Sequence, residues 1–328
     1  MSTLTPVRPS LRGPARVVVR QHRWTLRIAG GVALAAVIAL IAVALRSSHV
    51  AEVFAASDCR VDGGTGRICD QTVRDYLDSM LRYRSLFGGF ATFLMILPAL
   101  FSAFVAGPMI ARELESGTFR MSWTQSVSPA RWLAAKLAVP TVLLLAATAV
   151  LSAVLHWAQS HSDTPYLSEW YTPQVFAATG TVPAAHLLFG MGAGALIGLL
   201  VRRTVPALAT SVLVTGVVTV AFAYLRRGLW PPSTLTGATL SPAEDIWWVE
   251  VGDINGSGER IPHDVCSWSG AEAERLRCMA DQNITGHYLD YHPASHFWPI
   301  QLVETGILLA LTALAVIAAF RVLRRRTG

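Results

Sequence analysis

The sequence predicts an all-α membrane protein with six transmembrane helices and both termini in the cytoplasm. Three observations predict this fold class: the composition, the spacing of the apolar runs and the placement of the arginines. Hydrophobic residues make up 52% of the 328 residues and charged residues only 15%, whereas ordinary globular proteins have about 25% charged residues. This composition argues against a soluble enzyme.

Six apolar stretches are long enough to cross a bilayer, because a hydrocarbon core about 30 Å thick takes roughly 20 helical residues. A helix is the expected structure, since lipid offers no partner to an unpaired backbone group. Span 1 could instead be a cleaved signal peptide, but its long basic leader and its apolar run over 28–45 favour an uncleaved anchor. The predicted spans 1 to 6 cover residues 26–45, 86–110, 132–157, 183–201, 205–225 and 299–320.

The arginines orient these spans. The net charge of +6 comes almost entirely from arginines beside apolar runs, which is typical of membrane proteins and not of nucleic-acid-binding proteins. In a six-span protein the leader, the link between spans 4 and 5, and the C-terminal tail share one side, which the positive-inside rule places in the cytoplasm. The arginines on that side are Arg8, Arg12, Arg16, Arg20, Arg23, Arg27, Arg202, Arg203, Arg321, Arg324, Arg325 and Arg326.

The predicted layout has four parts. They are the basic leader 1–25, spans 1 to 5 within 26–225, a large extracellular loop or cap 226–298, and span 6 with its arginine-rich tail 299–328. The leader is predicted to lie as an interfacial helix, with a disordered arm attracted to anionic lipid as the alternative. The cap is acidic, which fits the outside, although Arg226 and Arg227 at its start depart locally from the positive-inside rule.

Four cysteines support this orientation, because all of them lie in predicted outer loops. Cys59 and Cys69 lie in the 40-residue loop 46–85, whereas Cys266 and Cys278 lie before span 6. We expect two local disulfides, Cys59–Cys69 and Cys266–Cys278, since the outside is an oxidising compartment. Closing rings this short contributes on the order of 3 kcal/mol each. Four unrelated thiols are the alternative, and zinc binding is disfavoured because neither pair has C-x2-C spacing.

Span 4 carries a ridge of glycines, Gly190, Gly194 and Gly198, that recur every four residues. Such a ridge of small residues lets another helix approach closely. The partner helix belongs either to the same chain or to a second copy of it.

Glu304 is a carboxylate inside span 6. It follows Trp298 by six residues, which places it roughly 9 Å below the outer interface at helical rise. Carboxylates at such depth usually face a cavity or a protein partner, and Gln301 lies on the same face one turn earlier. Both residues are therefore candidates for the substrate pathway or its gate, with a structural hydrogen bond to a neighbouring helix as the alternative for Glu304.

Histidines before span 6 invite a metal hypothesis that their spacing disfavours. His287, His292 and His296 have H-x4-H-x3-H spacing, which lacks the geometry of a zinc-binding helix. Asp290 between them does not complete such a motif. We expect interfacial polar anchors here and no metal site.

The inner segment 111–131, between spans 2 and 3, has the most specific pattern in the chain. It contains a charged helical turn, a Gly-Thr break and a short amphipathic piece that ends in Ser-Pro. Charges interleaved with aromatic residues suit a docking surface for a cytoplasmic partner. An ordinary solvated loop is the alternative.

This pattern resembles the permease subunits of type-2 ATP-binding-cassette (ABC) exporters, especially actinobacterial ones. The resemblance rests on Arg-Glu-x-Glu-x-Gly-Thr at 112–118, Trp-Thr-Gln-Ser-Val at 123–127, Arg-Trp-Leu at 131–133, Lys136, and the stretch 291–301 before span 6. It implies a dimer of permeases, and a cytoplasmic coupling helix within 111–131 that seats in a groove of a separate ATPase. The coupling residues would be Glu113, Glu115, Gly117, Thr118 and Arg131. The chain departs from the pattern at 128–130, where relatives often place a basic residue sooner.

ATP hydrolysis is expected in another chain. A phosphate-binding loop needs G-x4-G-K-[ST], but the one lysine, Lys136, follows two alanines at the start of span 3. We therefore expect no cofactor in this chain, with ATP and Mg²⁺ bound by two copies of a partner ATPase.

The predicted function is a non-enzymatic permease subunit of an ABC exporter in the plasma membrane. It would pair with a second copy of itself or a related permease and move a hydrophobic or amphipathic substrate such as a drug, lipid or peptide. Two alternatives stay open: a polytopic membrane enzyme with an extracytoplasmic His/acidic site, and a non-transporting membrane sensor that partners an ATPase.

Overall fold

The computed structural model describes residues 23–61, 67–118, 128–161, 169–243, 245–267 and 272–327. Most of the leader, with its predicted interfacial helix, and residues 119–127 of the predicted coupling segment lie outside the described residues. The chain divides into two compact units. A helical unit comprises Met1–Ser168, Pro173–Val220 and Thr305–Gly328, and a sheet unit comprises Glu169–Thr172 and Ala221–Glu304.

Six helical stretches in the described part of the chain are long and apolar enough to span a membrane, which confirms the six predicted spans. A π-helical turn, Ser102–Ala106, joins α2 to α3, so that span 2 consists of both helices and the π turn. The helices in chain order are α1 (Arg23–Ala55), α2 (Arg67–Phe101), α3 (Gly107–Ser116), α4 (Pro129–Ser160), α5 (Pro173–Ala178), α6 (Val182–Val201), α7 (Thr204–Leu225), α8 (Asp264–Ser267), α9 (Glu272–Asp281) and α10 (Phe297–Thr327).

The structure corrects the predicted outer loop 46–85, most of which is helical. Helix α1 continues to Ala55, and α2 already begins at Arg67. Tyr76 and Met80, one turn apart, are buried, and the Tyr76 ring stacks on that of Phe54 with centroids 4.0 Å apart. This extension is amphipathic, with polar residues between the buried ones, so a search for continuous apolar runs does not detect it.

Helix α6 is the central helix of the helical unit, since most of its residues are buried. Its glycine ridge faces the end of α2, the π turn and α3. A methyl group added at Gly190 would lie 2.9 Å from the Pro98 carbonyl oxygen. One added at Gly194 would lie 2.8 Å from the Ala106 Cβ, and one added at Gly198 would lie 2.7 Å from the Gly107 carbonyl oxygen. The ridge therefore packs closely against span 2 of the same chain.

The sheet unit corrects the all-α prediction. It contains a four-stranded antiparallel sheet in the order β1-β4-β2-β3, so the fold is mostly helical with one sheet. The central strands are rich in the aromatic and β-branched residues that favour a pleated sheet, whereas prediction from hydropathy treated the segment as a loop. The strands are β1 (Ser233–Gly237), β2 (Trp247–Asn255), β3 (Arg260–Pro262) and β4 (Ile284–His292).

An aromatic cluster joins a distant segment of the chain to this sheet. Trp170, in the segment Glu169–Thr172, packs edge-on against Trp247 and Phe297, with ring centroids 6.0 and 6.1 Å apart. Its indole N–H also donates to the Asp245 carbonyl oxygen at 3.2 Å. Edge-to-face packing is a favoured arrangement of aromatic rings, so these four residues belong to the sheet unit although they precede span 4.

Candidate functional sites

Both predicted disulfides have the required geometry. The Cys59 and Cys69 Cα atoms are 5.3 Å apart, and those of Cys266 and Cys278 are 5.6 Å apart. Both separations lie in the range that a disulfide spans. The first pair joins the segment that follows α1 to the first turn of α2, and the second joins α8 to α9.

Glu113 lies in the last turn of α3 and contacts the start of α4. Its Oε2 atom accepts a hydrogen bond from the Trp132 indole N–H at 3.0 Å, and its Oε1 atom pairs with the Lys136 ammonium. Trp132 and Lys136 are one turn apart on α4, and the ammonium lies 5.7 Å from the indole ring. Glu113 and the unusual position of Lys136 were recognisable in the sequence, but their pairing was not.

Glu115 contacts the first residue of α7. Its Oε2 atom accepts hydrogen bonds from the Thr204 backbone N–H at 2.9 Å and from the Thr204 hydroxyl at 2.6 Å. A carboxylate is favourable here because a helix N-terminus has unsatisfied N–H groups and a partial positive charge. Glu115 therefore caps a helix far from it in sequence, a contact that no sequence pattern reveals.

The remaining predicted coupling residues flank residues 119–127. Gly117 ends α3 with φ of +72°, a left-handed conformation that glycine adopts without steric cost. The Thr118 hydroxyl lies 3.0 Å from that of Ser116, and Arg131 is exposed in the first turn of α4, whose N-cap is Ser128. Their contact with an ATPase stays a prediction.

The predicted pathway residue Glu304 forms a buried ion pair with Arg226. The Arg226 Nε and Nη2 atoms donate to Oε2 and Oε1 of Glu304 at 2.8 and 3.0 Å. Only 2% of the arginine side chain and none of the glutamate side chain is exposed, and Gln301 one turn away is also buried. The local exception to the positive-inside rule at Arg226 thus has a physical reason: it neutralises a buried carboxylate.

The histidines before span 6 form two separate hydrogen-bonded groups in the sheet unit. His292 Nε2 lies 3.0 Å from the Arg227 carbonyl oxygen and Nδ1 lies 3.0 Å from Nδ1 of His296. Burial lowers the pKa of His292, which favours the neutral ring. His287 instead bonds to Asp253, with Nδ1 and Oδ1 2.6 Å apart. No group of three potential ligands in the described ranges could hold a metal ion.

A polar network crosses one face of the sheet. Arg260 Nη1 donates to Asp290 Oδ2 at 2.7 Å, and the Thr234 hydroxyl donates to Asp290 Oδ1 at 2.5 Å. The Arg260 guanidinium also lies 4.5 Å from the centre of the Tyr288 ring, whose hydroxyl donates to Glu250. Burial raises the pKa of Asp290, but the hydrogen bonds from Thr234 and Arg260 outweigh it, so the pKa is lowered.

Comparison with known families gives a match over residues 28–227, more than half of the chain, to the family described as ABC-2 membrane transporter related. The match covers spans 1 to 5 and the whole segment 111–131. Comparisons with curated proteins and with solved structures give no match. The family match and the six apolar helices together show that the chain is a multi-pass membrane protein, a transport permease that belongs to the ABC-2 membrane transporter related family.

Proposed function

We propose that the chain is the membrane-spanning subunit of an ATP-driven exporter, which forms the translocation pathway and couples to a separate ABC ATPase. The observation that carries this proposal is the family match over 28–227, because permeases of this family generally pair with ABC ATPase subunits. The match includes the segment 111–131, for which we propose the coupling role.

The chain's own chemistry supports an ATPase in a separate chain. Its one lysine, Lys136, pairs with Glu113 at the start of α4 and has no Walker A sequence around it. We therefore assign ATP and Mg²⁺ to two copies of the partner, with two permeases forming the pathway in the plasma membrane. The apolar surfaces of the spans suit a hydrophobic or amphipathic substrate.

The first test is the identity of the partner. The tagged full chain should be purified into lipid nanodiscs from the cells that naturally produce it, and the co-purifying chains identified by mass spectrometry. We expect a chain with a Walker A motif, and ATPase activity that disappears when its Walker lysine is replaced. Absence of an ATPase, together with turnover of lipid or peptide by the purified chain alone, would contradict the proposal and favour the membrane enzyme.

The second test concerns export. Inverted membrane vesicles that contain the complex should accumulate at least one probe from a panel of ethidium, fluorescent lipid and fluorescent hydrophobic peptide when ATP is added. Vesicles with a Walker-lysine variant of the ATPase are the control. An ATPase that binds the chain while none of the probes moves would favour the sensor.

A further inference from the structure

Three tryptophans of the sheet unit are largely exposed. They are Trp230, Trp248 and Trp298, whose exposed fractions are 39%, 56% and 54%. Large apolar rings are normally covered in a folded domain, because leaving them in water costs free energy. Trp170 and Trp247 of the same unit, by contrast, pack against other rings. The three exposed rings are therefore suited to contact with a partner that covers them.

All three exposed tryptophans lie near one end of the sheet. Tyr291 on β4 pairs with Ser233 on β1 and with Trp248 on β2, so these three positions share one level. Trp230 precedes Ser233 by three positions, and Trp298 follows Tyr291 by seven. At this end β4 leads through a short 3-10 turn into α10. The exposed tryptophans thus lie at the end of the sheet that adjoins spans 5 and 6.

The buried ion pair gives a common reference for depth. Arg226 at the end of span 5 contacts Glu304 in span 6, so these two residues lie at the same level. Trp230 follows Arg226 by four positions, and Trp298 precedes Glu304 by six. At the rise of 3-10 and α-helices, these separations correspond to roughly 8 and 9 Å. Both rings therefore lie where the apolar segments end.

The two ends of the sheet differ in chemistry. Arg227 and Asp245 are exposed at the end that carries the tryptophans. A zwitterionic lipid headgroup offers a phosphate to the arginine and an ammonium to the carboxylate. At the opposite end, the turn 256–259 is exposed and consists of Gly-Ser-Gly-Glu. One end thus suits the surface of a bilayer, and the other suits water.

We propose that the tryptophan-bearing end of the sheet unit is seated in the headgroup layer of the leaflet at which spans 5 and 6 end. Trp230, Trp248 and Trp298 are its lipid anchors. Continuity with the spans identifies lipid as the partner, since exposed apolar residues such as Leu225 and Leu302 lie directly beyond these tryptophans. A tryptophan at this level places its ring against apolar chains and its indole N–H among headgroups. This seating is independent of whether the chain transports a substrate.

The test locates single fluorescent labels in the full chain, purified into phosphatidylcholine nanodiscs. The four native cysteines form two disulfides, so one introduced cysteine can be labelled selectively with NBD maleimide. The labelled variants are Trp230→Cys, Trp248→Cys and Trp298→Cys, each of which keeps two of the three tryptophans. Ser257→Cys in the exposed turn is the control, because the far end of β2 is roughly 23 Å from Trp248 at the rise of a strand.

Nitroxide groups carried by the lipid quench NBD only at short range. Nanodiscs that contain doxyl-phosphatidylcholine should remove most of the fluorescence of the labels at 230, 248 and 298. They should leave the fluorescence of the label at 257 unchanged. Iodide in the water should show the opposite order and quench the label at 257 most strongly.

A second measurement asks whether the tryptophans hold this end of the sheet in place. The label is attached to Pro232→Cys, an exposed position between Trp230 and β1. With Trp230→Ser/Trp248→Ser, quenching of this label by doxyl lipid should fall, because serine has no apolar ring. With Trp230→Tyr/Trp248→Tyr the quenching should remain, because tyrosine also favours the membrane interface. Both replaced positions are exposed, so all variants should fold.

Three results would overturn the inference. Doxyl lipid might quench all four labels equally or none of them, which would contradict seating by one end. Protection of the labels at 230 and 248 from both doxyl lipid and iodide would make a protein, such as a second copy of the chain, the partner. Unchanged quenching in the serine variant would remove the anchoring role of the tryptophans. None of these results affects the proposed function, which the ATPase and transport experiments test separately.

Discussion

The two units satisfy their polar groups in different ways. In the helical unit many hydroxyl groups bond to the carbonyl oxygen one turn earlier, as Thr215 does to Ser211 at 2.8 Å and Thr312 to Leu308 at 2.7 Å. In the sheet unit the main partners are charged and distant in sequence, as in Arg260 with Asp290 and Arg226 with Glu304. Apart from the contacts of Glu113 and Glu115, the helical unit relies mainly on local hydrogen bonds, whereas the sheet unit relies more on contacts between distant segments.

The difference teaches which interactions tolerate substitution. A span that satisfies its own backbone keeps its helix when a side chain changes. A buried charge depends on one partner, so loss of either member leaves the other unpaired. Substitutions in the sheet unit should therefore have the larger effects, except where two helices approach too closely for any side chain.

The largest expected effect is at the buried ion pair. Glu304→Leu leaves the Arg226 guanidinium buried without its carboxylate, and breaking such a pair costs about 3–5 kcal/mol. Thermal unfolding of the detergent-solubilised protein should show this loss. The double variant Arg226→Met/Glu304→Leu is the control and should recover most of it. A single variant as stable as the wild type would contradict the structural importance of the pair.

The next largest effect is expected on removal of the disulfides, and it should differ between the two units. Cys266→Ser/Cys278→Ser should destabilise the sheet unit by about 3 kcal/mol. Without the disulfide, the unfolded chain gains the conformational entropy that the closed loop had removed. Cys59→Ser/Cys69→Ser should cost less, because lipid keeps α1 and α2 helical even when their packing is lost. Chemical unfolding followed by tryptophan fluorescence would measure both losses. An equal or reversed order would break the comparison between the units.

A smaller effect is expected at the glycine ridge, where the close packing of the helical unit leaves no room for a larger side chain. Gly198→Ala would place a methyl group 2.7 Å from the Gly107 carbonyl oxygen, and such overpacking typically costs about 1–3 kcal/mol. Gly216→Ala on α7 is the matched control because nothing lies within 4 Å of a methyl group added there. Thermal unfolding should show a loss for the first variant and none for the second.

The smallest effect concerns Asp290 and pH. Its lowered pKa means that its contribution to stability is present above the pKa of the unfolded carboxyl, about 3.9, and is lost as the pH falls through the lower folded pKa. Thr234→Val removes one hydrogen bond to the carboxylate, so the free energy of unfolding at neutral pH should fall by about 1 kcal/mol.

Acid unfolding of the protein, monitored by tryptophan fluorescence, distinguishes this prediction from a general loss of stability. Thr234→Val should move the acid transition to higher pH, because the pKa of Asp290 rises towards its usual value. Thr236→Val, at an exposed position on the same strand, is the control and should leave the transition in place. An identical shift in both variants would contradict the role of the hydrogen bond.

The parts of the fold that were predictable follow from one-dimensional patterns. The six spans are apolar runs, and the cysteine pairs are close in sequence. The helical extension around Tyr76 was not predicted, because its apolar residues are not contiguous. The sheet was not predicted, because its register, such as Gly252 opposite Tyr288, depends on the pairing of strands that are distant in sequence.

The candidate sites show the same limit at the level of single residues. Glu113, Glu115 and Glu304 were recognisable because charges next to apolar runs are unusual. Their pairings were not recognisable, since Arg226 precedes Glu304 by 78 positions and Thr204 follows Glu115 by 89. Pairing at such separations requires a three-dimensional arrangement that composition and spacing do not contain.

The aromatic contacts of Trp170 have a consequence for protein engineering. A chimaera that exchanges only residues 226–298 with a relative would separate Trp170 from Trp247, Phe297 and Asp245, because all three partners lie in the exchanged segment. The exchangeable module is instead discontinuous: a graft must carry the short segment Glu169–Thr172 together with Ala221–Glu304. Splice sites for such chimaeras belong inside the helices that flank these segments, because a membrane-spanning helix satisfies its own backbone hydrogen bonds.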